Sequence, residues 1–252
     1  MSKSKQTKKI KDDTKKDDTI KADTKKDDTI KVDTKKDDTK KDDTIKADTK
    51  KDDNKYVPKY IIPFYTKERW QNWINQVKES DFRIEDQDKS AIFVYMTDDI
   101  ILACLKLISK YDNGLLQKDD ASKYLSEIEE IVLKKIDPIN DDTDSMLEST
   151  QLSLMGVFAS CECYINKTFE RTKSFGKLIK SAIQAEEKHD MDTVLHNIAT
   201  IGANVLAGEK LTEKDLDKIS SEGVVAEWLD GIDSISVAMM GDTSYKYDEP
   251  DE

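Results

Sequence analysis

The sequence predicts an all-α fold: a multi-helix bundle of seven or eight helices preceded by a disordered repeat arm. Three observations predict it. Apolar residues recur at i, i+3, i+4 and i+7 in segment after segment of the body. Nowhere does a run alternate convincingly at the two-residue period of a strand ladder. The first 55 residues instead carry a five-residue beat, with Asp-Thr steps ending at Thr14, Thr19, Thr24, Thr29, Thr34, Thr39, Thr44 and Thr49.

That beat does not match helical geometry. Each repeat of five turns the pattern by about 140° at 100° per residue, so no face accumulates. Residues 1–55 hold 19 Lys and 15 Asp with no Arg or Glu, and their few aliphatic residues, such as Ile20, Ile30, Val32 and Ile45, are too sparse to bury one another. Such a segment cannot offset its ordering entropy, which predicts a disordered arm over 1–55. Residues 56–240 are then the globular domain, and 241–252 an acidic, disordered tail.

Charge separates the two parts. The arm sums to +4, while the remainder holds 22 basic and 38 acidic residues and sums to −16. An acidic body disfavours nucleic acid and anionic lipid, both of which need a positive face. The best candidate span, Ser149–Cys161, is uncharged for 13 residues, against the roughly 20 needed to cross a bilayer. No apolar leader opens the chain, and Cys104, Cys161 and Cys163 make no even disulfide set. A cytoplasmic protein with no membrane contact is expected.

The elements follow in order. Pro58 and Pro63 mark an irregular entry, and Thr66 is the N-cap of a helix whose stripe is Trp70, Trp73, Ile74 and Val77. Residues 88–111 come next. Ala91–Met96 fits either a short buried strand or the first turns of one buried helix, and we favour the helix, stopped by Asn113-Gly114. A third helix, 117–136, carries Ala121, Tyr124, Leu125, Ile128, Ile131 and Val132 on one side. Beyond Pro138, helix 141–166 is apolar on nearly every side, as a central core helix should be. Shorter helices are predicted near 170–188, 191–207 and 212–220. A last one, 223–240, aligns Trp228, Ile232, Ile235 and Met239.

Several constellations could carry chemistry. Cys161-Glu162-Cys163 has a chelating look, but two residues on a helix are separated by about 200°, so the thiols are expected as small buried hydrophobes. Glu186-x-x-His189 is half of a di-iron helix signature, and the second copy is missing because Thr193 precedes His196. Glu85, Asp88, Asp98 and Asp99 are candidate ligands for magnesium in an all-α nucleotide phosphohydrolase, where acids at i,i+3 converge on one ion. The second pair is broken by Tyr95 and Met96, and a solvated acidic face is the favoured reading. Lys167, Arg171, Lys173, Lys177 and Lys180 form the one basic cluster of the body, with Phe169 and Phe175 interleaved. Arg171, Lys173, Lys177 and Lys180 are therefore the candidate contacts for RNA or an anion, with Lys173, Lys177 and Lys180 on a shared helix side. No G-x-S-x-G and no glycine-rich phosphate loop occurs, two histidines leave little scope for acid–base catalysis, and no cofactor is expected.

Four stretches taken together, FYTKERWQNWINQV (Phe64–Val77), DDIILACLKLI (Asp98–Ile108), SLMGVFASCECYI (Ser153–Ile165) and GVVAEWLDGIDSIS (Gly223–Ser236), resemble an uncharacterised archaeal family found mainly in methanogens, domain of unknown function 2150. The resemblance covers the body from about Tyr60 to Met240 and leaves the arm outside. It rests on packing segments, so it implies an archaeal cytoplasmic setting and no activity. The leading functional expectation is a protein–protein role, as an adaptor or self-associating subunit, with Trp228, Ile232, Ile235 and Met239 as the partner surface.

Overall fold

A computed structural model describes residues 63–241 apart from 218, 220 and 221. The repeat arm and the tail from 242 onward lie outside the described residues. Those that are described fall within one unit of the chain, Lys55–Glu252.

Among the described residues there are eight α-helices and no strand. Helix α1 (Lys67–Ser80) starts where Thr66 accepts the Arg69 N–H and stops at Asp81, which is left-handed. The acidic loop that follows ends in a 3-10 turn, Gln87–Ser90, and leads directly into α2 (Ala91–Asp112). The segment 91–96 is thus helix. Helix α3 (Lys118–Val132) ends four residues before the predicted stop because the Gln151 amide donates to the carbonyls of Val132 and Lys134. Helix α4 (Asp141–Asn166) has the predicted bounds, opened by the Asn140 side chain and closed by left-handed Lys167.

The C-terminal third departs more from expectation. Helix α5 (Gly176–Glu186) is shorter than the predicted 170–188, since the buried Asn204 side chain holds the preceding strand of backbone in a loop. Asn204 accepts from the Thr172 N–H and donates to the Glu170 and Thr200 carbonyls, a set no helix over 170–175 could supply. Helix α6 (Met191–Leu206) is capped by Asp190, and α7 (Glu213–Leu216) is a single turn closed by a Thr212/Asp215 capping box. Helix α8 (Val224–Met240) has no cap of its own. Glu186, at the end of α5, accepts from the N–H groups of Val224 (2.5 Å) and Val225 (3.1 Å) and caps it from outside. A carboxylate at a helix N-terminus is favoured by the macrodipole as well as by the two bonds.

Helix α4 is the axis. Leu147, Leu154, Val157, Phe158, Cys161 and Ile165 are all buried on it, facing neighbours on several sides. The C-terminal ends of α2 and α4 are tied by Tyr111, which donates to the Ile165 carbonyl, and by Tyr164, which donates to Asp112. The ends of α2, α6 and α8 meet at a shared cavity described below. These four helices therefore run in one direction, with α1, α3 and α5 returning between them. The long 207–223 connection exists because α8 must start again beside Glu186, at the far end from where α6 stops.

Two glycines on the inner helices and one on α8 set how closely they pack. A Cβ on Gly156 would lie 2.9 Å from the Cβ and carbonyl oxygen of Trp228. One on Gly231 would lie 2.5 Å from the Ser153 carbonyl oxygen, and one on Gly202 would overlap the Ser160 hydroxyl. Gly176, at the start of α5, has open space in the same direction. Gly231→Ala should therefore lower stability by about 1–3 kcal/mol, the usual cost of overpacking. Gly176→Ala should be neutral or slightly stabilising. Urea denaturation of the two variants side by side checks both.

Candidate functional site

The acidic candidates do not assemble. Glu85 and Asp88 lie exposed in the loop before α2, and Asp98 is exposed on α2 itself. Asp99 faces the other way and is already occupied. It accepts from Arg69 through both carboxylate oxygens and from the Trp73 indole N–H at 2.8 Å. The Tyr65 hydroxyl is buried beside the same carboxylate, and burial together with that negative charge drives the phenol well above its ordinary range. This cluster fastens α1 to α2. Among the described residues, no group of three or more His, Cys, Asp or Glu is placed to hold a metal ion.

The expected partner surface on the last helix needs correction. Trp228, Ile232 and Ile235 are buried within the chain's own core, and only Met239 is part-exposed. They are turned inward because α8 packs through Gly231 onto α4 and beside Gly202 of α6, so its apolar stripe is the inner face. The cost is visible at Trp228, whose buried indole N–H has no hydrogen-bond partner among the described residues.

The basic cluster is divided as well. Lys173 precedes α5, in a turn where Thr172 and Ser174 bond to each other, so it does not share a helix side with Lys177 and Lys180. Phe175 is buried, and Phe169 stacks on Tyr164 with ring centroids 6.0 Å apart, so neither ring offers a free platform for a base. Arg171 donates to the Ala207 carbonyl at the end of α6 and pairs with Glu209. The Lys167 ammonium lies 3.8 Å from the Tyr164 ring centroid. Lys167 and Arg171 thus sit where the C-termini of α4 and α6 leave negative charge.

The thiols are buried and unpaired by disulfide. Cys104 of α2 faces Cys161 of α4, and that contact together with burial raises its pKa well above the ordinary thiol value. Glu186 of the half di-iron motif is the external cap of α8, and His189 is the left-handed residue of the turn after α5.

Two features remain as candidate sites, and periodicity alone did not single out either. The first is the outer face of α2. Val94, Tyr95 and Leu102 are 56%, 62% and 37% exposed, and with Asp98 they fall within about 100° of arc on the helix. Desolvation raises the pKa of Asp98, which shares this arc. The second is a cavity of about 330 Å³ at the C-terminal pole. It is half-open, lined by Leu105, Ile108, Ser109 and Asp112 of α2 and the Asn113 that follows, by Leu206 of α6 with Ala207 and Gly208 after it, and by Met239 of α8; Asp112 and Asn113 are exposed. Both oxygens of Asp112 lie 3.0 Å from the Tyr164 hydroxyl.

Fold and sites together define an all-helical domain in which no described helix is long and apolar enough to cross a membrane. The model of the family described as uncharacterized protein conserved in archaea (DUF2150) matches residues 63–248, and the chain belongs to that family. No curated protein and no solved structure matches it.

The Asp99 cluster generates a direct test. Asp99→Asn preserves shape but removes the charge that Arg69 and Trp73 address, and should cost about 1–3 kcal/mol in chemical denaturation. Asp88→Asn, in the exposed loop, should leave the midpoint unchanged.

Proposed function

We propose that this chain acts by protein–protein contact, presenting the outer face of α2 to a basic amphipathic segment of a partner. The observation that carries the reading is the grouping of Val94, Tyr95 and Leu102 around Asp98 on one exposed arc. Scattered apolar residues are ordinary on a surface, but an aromatic and two aliphatic side chains grouped on one face leave a patch that association would cover. Asp98 supplies the sign. A carboxylate already penalised by desolvation gains from an incoming lysine or arginine. The body's net −16 would steer a basic partner toward the domain and repel acidic ones. The same patch is too acidic to suit RNA, and Asp98 stands apart from the Glu85 and Asp88 pair that a magnesium enzyme would need.

The test is co-purification from the native cell with the wild-type chain and a Val94→Asp/Leu102→Asp variant, each with its melting temperature measured. A partner retained by the wild type should fall by about tenfold or more with the variant, the order expected when anchor side chains are lost, while the melting temperature stays put. An identical partner set for both chains would refute the assignment of this face.

The Asp98 carboxyl also makes a pH prediction. Its native pKa is raised, so at neutral pH its charge is disfavoured in the folded state relative to the unfolded one, and that penalty is relieved as pH falls through the native value. Asp98→Asn should therefore raise the free chain's stability at pH 7, and the difference from wild type should shrink as the pH is lowered. Paired denaturation curves across that range measure it.

A further inference from the structure

We propose that the cavity at the C-terminal pole binds a small organic cation, an amine carried on a compact apolar body. Its volume of about 330 Å³ lies at the small end of the range for ligand pockets. Leu105, Ile108, Leu206 and Met239 give it aliphatic walls suited to a hydrocarbon body. Its one charged lining group is Asp112, and Ser109 and Asn113 beside it offer polar atoms to a charged head.

Three independent features fix the sign of the ligand. The cavity is a half-open pocket bordered by the C-terminal ends of α2, α6 and α8, which present the negative poles of their macrodipoles, that of α6 shared with Arg171. Asp112 is held in place by Tyr164, whose hydroxyl lies 3.0 Å from both carboxylate oxygens. Burial and that bond push the Tyr164 phenol up to about 12, so the hydroxyl keeps its proton and stays a donor to Asp112. Of the nearby cations, Lys167 lies over the Tyr164 and Tyr111 rings, and Arg171 is bonded to the Ala207 carbonyl at the end of α6 and paired with Glu209. Neither lines the cavity. An anion of the same shape would meet Asp112 as the one charged side chain of the lining.

The test uses the full chain at pH 7 with three isosteric probes, cyclohexylmethylamine, cyclohexylmethanol and cyclohexanecarboxylate, titrated by calorimetry and by ligand-observed NMR. The amine should bind and the carboxylate should bind at least about tenfold more weakly, with the alcohol between them. Asp112→Asn, which keeps a partner for Tyr164, should weaken the amine by about tenfold. Asn113→Asp should tighten it by about threefold, a gain that a damaged fold cannot produce. Equal binding of amine and carboxylate, an amine affinity unmoved by Asp112→Asn, or no amine binding at about 10 mM, well above the range of specific sites, would each overturn the assignment.

Discussion

The structure depends on how closely α8 can approach α4 and α6. At Gly156, Gly202 and Gly231 a backbone or a small hydroxyl occupies the space that a side chain would take. Because α8 lies that deep, Trp228, Leu229, Ile232 and Ile235 are core residues rather than surface ones. Because α8 runs in the same direction as α6, the chain needs the long 207–223 return. Because that return ends on left-handed Gly223, with no local cap, the first N–H groups of α8 are satisfied from α5 by Glu186. A residue that the sequence shows as half of a metal motif is thereby explained as a helix cap.

Parallel alignment of α2, α4, α6 and α8 has an electrostatic consequence. Their C-termini gather at one pole, and the partial charges there have the same sign. Two members of the body's basic cluster, Lys167 and Arg171, lie against this pole. Lys167 closes α4 and rests on Tyr164, while Arg171 bonds the end of α6. Asn204 holds the intervening loop to α6 with both ends of its amide. Of the run of lysines and arginine that suggests a ligand surface in one dimension, Lys167 and Arg171 are, in three, engaged at helix ends. The cavity between α2, α6 and α8 is left with Asp112 as its charged wall.

The acidic residues divide by the direction they face on α2. Asp98 and Asp99 are adjacent in sequence, and one turn of about 100° sends them to different fates. Asp99 turns toward α1 and receives Arg69 and Trp73, while Asp98 looks outward among Val94, Tyr95 and Leu102. This explains why the two cannot serve as one paired site, and why the outward one carries the desolvation penalty.

Much of this was legible in one dimension, because burial along a helix is read directly from spacing. Trp70, Ile74 and Val77 on α1, and Ala121, Leu125, Ile128 and Val132 on α3, are buried at the positions their periodicity marks. The bounds of α4 follow from Asn140, Asp141 and an apolar surface on all sides. Local chemistry also marked the cap at Thr66. Tertiary structure alone decided which apolar stripe faces a neighbour and which faces water, since spacing reports amphipathicity and not the identity of the covering element. It placed the α8 stripe inside and left Val94, Tyr95 and Leu102 of α2 outside. It also shortened the helix before Glu186, because a buried amide on a distant helix outcompeted local propensity for the backbone of residues 170–172.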